Sequence, residues 1–296
     1  NPDSLATDQR GLNRVVGAAA DIGAFESQLP TFVVDTLGDE NDGDYSTGNL
    51  TLREAVFLAN ESPDVNGITF RSDLSGETIL LENGELGLTT AVVIGGDLDN
   101  DGTADITIDA QQDSRIFNVD DDSSDEIVVQ MDGLILTNGK VRDDGGAILN
   151  VEDLTIRNST VTNSSTRKYR GEGGGIFNEG TLLIENSTVS DNATLKTKGK
   201  GGGISNEGTL TIRDSTISGN STAKSFSGGG GINNEGTLVI ETSTVSDNST
   251  AKTFSSGGGI RSIGDLTIVD STISGNSTSG HFSGGGGIFS FGTLVI

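Results

Sequence analysis

Residues 173–200 read GGGIFNEGTLLIENSTVSDNATLKTKGK, and the same pattern returns at 201–228, 229–256 and 257–284. Ile148, Ile176, Ile204, Ile232, Ile260 and Ile288 keep that step, each after a glycine-rich stretch. Leu154, Leu182, Leu210, Leu238, Leu266 and Leu294 keep it too, as do Ile156, Ile184, Ile212, Ile240, Ile268 and Ile296. A further set is Val161, Val189, Ile217, Val245 and Ile273. Within one unit apolar and polar residues alternate over short spans and no 3.6-residue pattern persists, so the unit is made of strands and turns. Three short strands are expected, around Ile176, Leu182 to Ile184, and Val189. No such unit can bury its inner side chains alone. Stacked coil on coil, about 4.8 Å apart, each Ile, Leu or Val meets its counterpart and fills a narrow core. The expected fold is all-β: a right-handed parallel β-helix of about 28 residues per coil.

Polar residues repeat in the same register. Asn150, Asn178, Asn206 and Asn234 form one column, Asn192, Asn220, Asn248 and Asn276 another, and Ser159, Ser187, Ser215, Ser243 and Ser271 a third. Amides stacked in this way can bond to the coils above and below, and the same residue types suit turns. Arg157, Glu185, Arg213 and Glu241 alternate in sign, which sets opposite charges side by side on neighbouring strands. TVSDN alternates with TISGN, so the true sequence repeat is a pair of coils.

Composition agrees. The chain holds 44 glycines, 3 prolines, no cysteine and no tryptophan, and its formal charge is -25. Residues 1–150 carry 30 acidic and 7 basic groups, and residues 151–296 carry 13 and 11. Such a charge repels nucleic acid and anionic membranes, and no apolar run is long enough to span a bilayer. No disulfide is possible.

Upstream of about residue 145 the spacing is irregular. The expected organisation is residues 1–27 as a closing segment of a preceding unit or a docking tail, 28–66 as an opening segment with a capping helix, 67–144 as irregular early coils with acidic insertions, and 145–296 as regular coils. In NLTLREAVFLAN, residues 49–60, Thr51 and Glu54 form an S/T-x-x-E capping box. Leu52, Ala55, Val56 and Ala59 make one apolar face of a helix that can cover the open edge of the first coil.

Leu50-Thr51-Leu52-Arg53-Glu54-Ala55 resembles the CSLREA-type opening segment of bacterial surface β-helix proteins, with leucine in place of the motif's cysteine and Tyr45 where a second cysteine is common. TDQRG at 7–11, Arg14 and DIGAFE at 21–26 resemble the closing segment that follows the β-helix in choice-of-anchor Q type proteins. That segment precedes the helix here, and the chain ends inside a repeat, so the sequence reads as a piece of a longer array or fibre. The resemblance implies a bacterial, extracellular or cell-surface location. Self-association head to tail, or docking on a neighbouring β-helix unit, is the expected partnership. It implies no reaction.

The sharpest local motif is GGDLDNDGTAD. Asp97, Asp99 and Asp101 followed by Gly102 give the D-x-D-x-D-G opening of a calcium loop, with Thr103 and Asp105 as further ligands. Ile108 stands where an EF-hand has its bidentate glutamate. Ca²⁺ is the expected cofactor. Asp39, Asn41, Asp42 and Asp44 form a weaker acidic run, as do Asp120, Asp121, Asp122, Asp125 and Glu126.

The loops before the glycine runs carry Lys168, Lys196, Lys224 and Lys252, joined by Phe226, Phe254 and Phe282. A stripe of cations and rings suits an acidic polysaccharide or a partner protein, and lysine stems packed beside loop aromatics would produce it equally. The single histidine, His281, has no metal-ligand or triad spacing around it. The expected function is therefore a non-enzymatic structural or adhesive rod. A polysaccharide-binding module or a β-helix polysaccharide lyase or epimerase is the alternative.

Overall fold

The computed structural model describes residues 31–62 and 66–296, together with a two-stranded antiparallel pair, Val15–Val16 with Ala19–Ala20. The segment that resembles a β-helix closure otherwise lies outside the described residues. Four parallel sheets make up the coils, three of them spanning both the early and the regular coils and the fourth only those from Lys140 to Thr278. In the coil quoted above, Ile176–Asn178 belongs to sheet I, Thr181–Glu185 to sheet II, Thr188–Ser190 to sheet III and Ala193–Thr194 to sheet IV. Sheet II has ten strands, sheets I and III eight each, and sheet IV six. The fold is the parallel β-solenoid that the periodicity predicts, but each regular coil has four strands rather than three. Sheet IV escapes a reading of periodicity because its strands are two residues long and carry no large apolar residue to alternate.

Register follows the repeat: Ile176 pairs with Ile204, Leu182 with Leu210, Val189 with Ile217 and Thr194 with Thr222. The apolar columns point inward and are buried, each side chain contributing about 1.5–3 kcal/mol relative to exposure. The early coils join the same sheets, with Val92–Gly95 and Val128–Asp132 bridging the amino-terminal strands Thr31–Val34 and Asn66–Phe70 to the regular repeats.

Both asparagine columns are buried ladders. Asn150, Asn178 and Asn206 each donate Nδ2–H to the Oδ1 of the asparagine one coil on, at 2.7, 2.7 and 2.8 Å. Asn192, Asn220 and Asn248 do the same in the second column, at 3.1, 3.0 and 3.0 Å. The serine column works at the turn between sheets II and III, where each hydroxyl accepts a backbone amide from the preceding coil, as when Ser187 N–H donates to Ser215 Oγ.

Alternation between TVSDN and TISGN has a steric cause. Asp191 and Asp247 adopt positive φ at the turn between sheets III and IV, and their carboxylates lean over Gly219 and Gly275 in the following coils. A Cβ at either glycine would collide with that carboxylate. Glycine in the alternate coils thus leaves room for the aspartate carboxylate, which as a flexible group could also turn aside.

The sole α-helix among the described residues, α1, spans Leu52–Asn60. It opens with the expected capping box: Glu54 N–H donates to Thr51 Oγ1 and Thr51 N–H to Glu54 Oε2. Leu52, Ala55, Val56 and Ala59 are buried against strands Thr31–Val34, Asn66–Phe70 and Leu86–Leu88. No helix among the described residues is long and apolar enough to cross a membrane.

Candidate functional site

Two acidic clusters and one lateral groove are the places where side chains with chemical capacity converge. In the first cluster Asp97, Asp99 and Asp101 bring carboxylate oxygens within 4.8 Å of one another. The loop is shaped by its own carboxylates: Gly102 N–H donates to Asp97 Oδ2, Asp101 N–H to Asp99 Oδ1, and Thr103 gives both its amide and its hydroxyl to Asp101 Oδ1. Gly102 has φ +82, the backbone that lets the turn close. Asp105 does not join the cluster. Its carboxylate accepts from Ser75 Oγ at 2.7 Å and from Leu98 N–H at 2.7 Å, and these bonds hold its carboxyl below the usual carboxylate range. Three clustered oxygen donors suit a hard divalent cation.

A second cluster joins Asp120 and Asp121 to Glu152. Glu152, only 4% exposed, takes backbone amides from Asp121 and Ile127. It stands in the column that later coils fill with Gly180, Gly208 and Gly236, and that departure was its one signal in the sequence. The run at Asp39 to Asp44 is used differently. Asp39 is buried against Arg53, and Glu54 Oε1 accepts the amides of Asp42 and Gly43.

The groove, of about 500 Å³, runs along the flank beside sheet I. One wall is a loop column in which Arg170, Lys198, Phe226, Phe254 and Phe282 follow each other one coil apart, all with φ between +56 and +64. The three rings stack face to face, with centroids 5.1 and 5.2 Å apart. Glu172 and Arg261, which line it, are held by two fully buried polar side chains: Ser205 Oγ donates to Glu172, and Asn233 Oδ1 accepts from Arg261 at 2.8 Å. Lys200 Nζ sits between Glu172 and Glu235 at 2.8 and 2.7 Å. Burial would depress the lysine's proton affinity, but its bonds to Glu172 and Glu235 outweigh this and raise it. The outer end carries Phe289 and Phe291 in an edge-to-face pair.

The stripe expected from the sequence is therefore divided. Phe226 and Phe254 line the groove, whereas Lys168, Lys196, Lys224 and Lys252 do not. Lys168 is engaged with Asp143 and Asp144, and the other three lysines are exposed. Groove cations come instead from Arg170, Lys198, Lys200 and Arg261. These were missed because no single column shows the site: Arg170 and Lys198 share the column that continues as Phe226 and Phe254, whereas Lys200 and Arg261 come from two others, and only the fold of the loop over sheet I brings the three together.

A molecule built of like coils stacked on one another, with four short parallel strands to each regular coil, is a parallel β-solenoid. The family model described as "Right handed beta helix region" matches residues 145–294, and the chain belongs to that family. No curated protein matches this chain.

Proposed function

We propose that this chain is a non-enzymatic, extracellular structural and adhesive rod of a bacterial surface, which presents the flank groove to its surroundings. The observation that carries the reading is the unbroken register of the coils along one flank. It stacks like loops into a stiff wall and opens a groove lined by rings and cations rather than an enclosed pocket. The LTLREA segment, buried as a cap on the first coils, supports kinship with CSLREA-type surface β-helix proteins. A Ca²⁺ ion held by Asp97, Asp99 and Asp101, with Thr103 alongside, would neutralise the acidic loop between sheets II and III. Association with a second β-helix unit belongs to the same reading.

One observation favours an enzymatic reading instead. Glu207 lies near Glu172 and Glu235, and partial desolvation together with the charge of Glu172 raises its carboxyl's proton affinity, although the side chain is largely exposed and outside the groove lining. The two readings separate in one experiment. Beads coated with the chain should adhere to polysaccharide-covered surfaces while pectins, alginates and glycosaminoglycans are returned uncleaved and unepimerised. Release of shortened or epimerised product would overturn the rod reading.

A further inference from the structure

We propose that the flank groove binds an acidic oligosaccharide, with Arg170 and Lys198 holding its carboxylate or sulfate groups. The proposal rests on the adhesive-rod reading in taking the groove as the ligand-facing surface.

Charge supplies the first argument. Lys200 and Arg261 are already engaged by Glu172, Glu235 and Asn233. Arg170 and Lys198 have no carboxylate partner among the described residues, although the chain carries 43 acidic groups against 18 basic ones. They flank the ring of Tyr169, at 5.7 and 6.0 Å from its centroid. The bond from Lys198 and the charges of both cations pull the Tyr169 phenol below its ordinary range, which reports a positive potential at this corner. In a molecule so acidic, two uncompensated cations at the mouth of a groove select an anion.

The rings supply the second. Phe226 and Phe254 are stacked on one another and both line the groove, so their faces point along the rod and their edges toward the groove. Ring edges carry the positive rim of the aromatic quadrupole, so they favour an oxygen-rich or anionic chain over a cation. Successive loops advance by about 4.8 Å, comparable to one pyranose residue, so a linear sugar chain can meet the same wall at each step.

Calorimetry on the full chain at low salt tests this with oligogalacturonate, a heparin-derived oligosaccharide, a neutral malto-oligosaccharide and a polyglutamate peptide. Saturable binding of either acidic sugar is expected, the one that binds identifying carboxylate or sulfate as the recognised group, with none for the neutral sugar. The double variant Arg170→Ala/Lys198→Ala should weaken binding roughly tenfold or more. Replacing Lys196, Lys224 and Lys252 by alanine should change affinity little. No binding of either acidic sugar, binding indifferent to the Arg170/Lys198 variant, or equal binding of polyglutamate would overturn the proposal. Adhesion of coated beads that persists without acidic-sugar binding would overturn this ligand and leave the rod reading standing.

Discussion

Arg53 and Asp39 meet side by side under the capping helix, with Nε 2.9 Å from Oδ1 and Nη2 3.1 Å from Oδ2. Asp39 Oδ2 also accepts the amides of Glu82 and Asn83, while Arg53 donates to the carbonyls of Gly84 and Glu85. One pair of side chains thus ties α1, the loop before it and the loop at residues 82–85 into a single cap. Arg53→Ala leaves a buried carboxylate uncompensated and is expected to cost about 3–5 kcal/mol in urea unfolding. An unfolding midpoint that matches the parent chain's would show that the cap does not depend on this pair.

The ladder of Asn150, Asn178, Asn206 and Asn234 ends on Ser262, whose Oγ accepts from Asn234 at 3.0 Å. Asn206→Ala should cost Asn178 Nδ2 its shortest bond, leaving it the carbonyls of Gly180 and Thr209, and should deprive Asn234 Oδ1 of its donor from Asn206, for a loss of about 1–3 kcal/mol. Asn206→Ser should cost less, since serine already serves as an acceptor in this column. Equal losses for the two variants would mean that packing, not hydrogen bonding, sets the requirement.

Sheet IV turns Thr166, Thr194, Thr222 and Thr250 inward, and their hydroxyls find no partner. Thr222→Val keeps the shape and removes a buried, unpaired hydroxyl, so it should raise stability by about 1 kcal/mol. A destabilised variant would reveal a partner, such as an ordered water, for that oxygen.

Calcium should raise the melting midpoint, and a chelator should lower it, because an ion bound only by the folded loop stabilises by about 2.7 kcal/mol at a hundredfold excess over Kd. Asp99→Asn combined with Asp101→Asn should remove the increment, whereas Asp105→Asn, whose carboxylate is turned to Ser75 and Leu98, should retain it. A midpoint indifferent to calcium and chelator would reject the ion.

Burial and the neighbouring Glu172 raise the Glu207 carboxyl above its ordinary value. A carboxyl raised in the folded state contributes stability that is present below its unfolded value and is lost as pH rises through the folded one. Glu207→Gln should therefore be more stable than the parent chain at pH 7, with the gain shrinking as the solution is acidified below the ordinary carboxylate range. The check is urea unfolding at pH 7 and about pH 4. A gain that persists unchanged in acid would trace to packing instead.

The sequence alone determined the coil. Ile176, Leu182, Ile184 and Val189 recur once per coil because each must lie on its own counterpart, and that constraint is visible without coordinates. The same holds for the cap, where Thr51 and Glu54 are close in sequence and interact locally, and for Asp97, Asp99 and Asp101, which share one turn. Tertiary structure decided whatever depends on contacts between different columns. Lys200 and Arg261 came into one groove with Arg170, Lys198 and Phe226, which share a column of their own, while Lys224, two residues before Phe226 in the chain, was left outside it. Glu152 reached Asp121 from the following coil, and Asp105 turned away from its own loop toward Ser75. Periodicity reports what stacks along the rod, since stacking imposes like upon like. It is silent on what meets across the coil, where loop path and backbone conformation choose the neighbours.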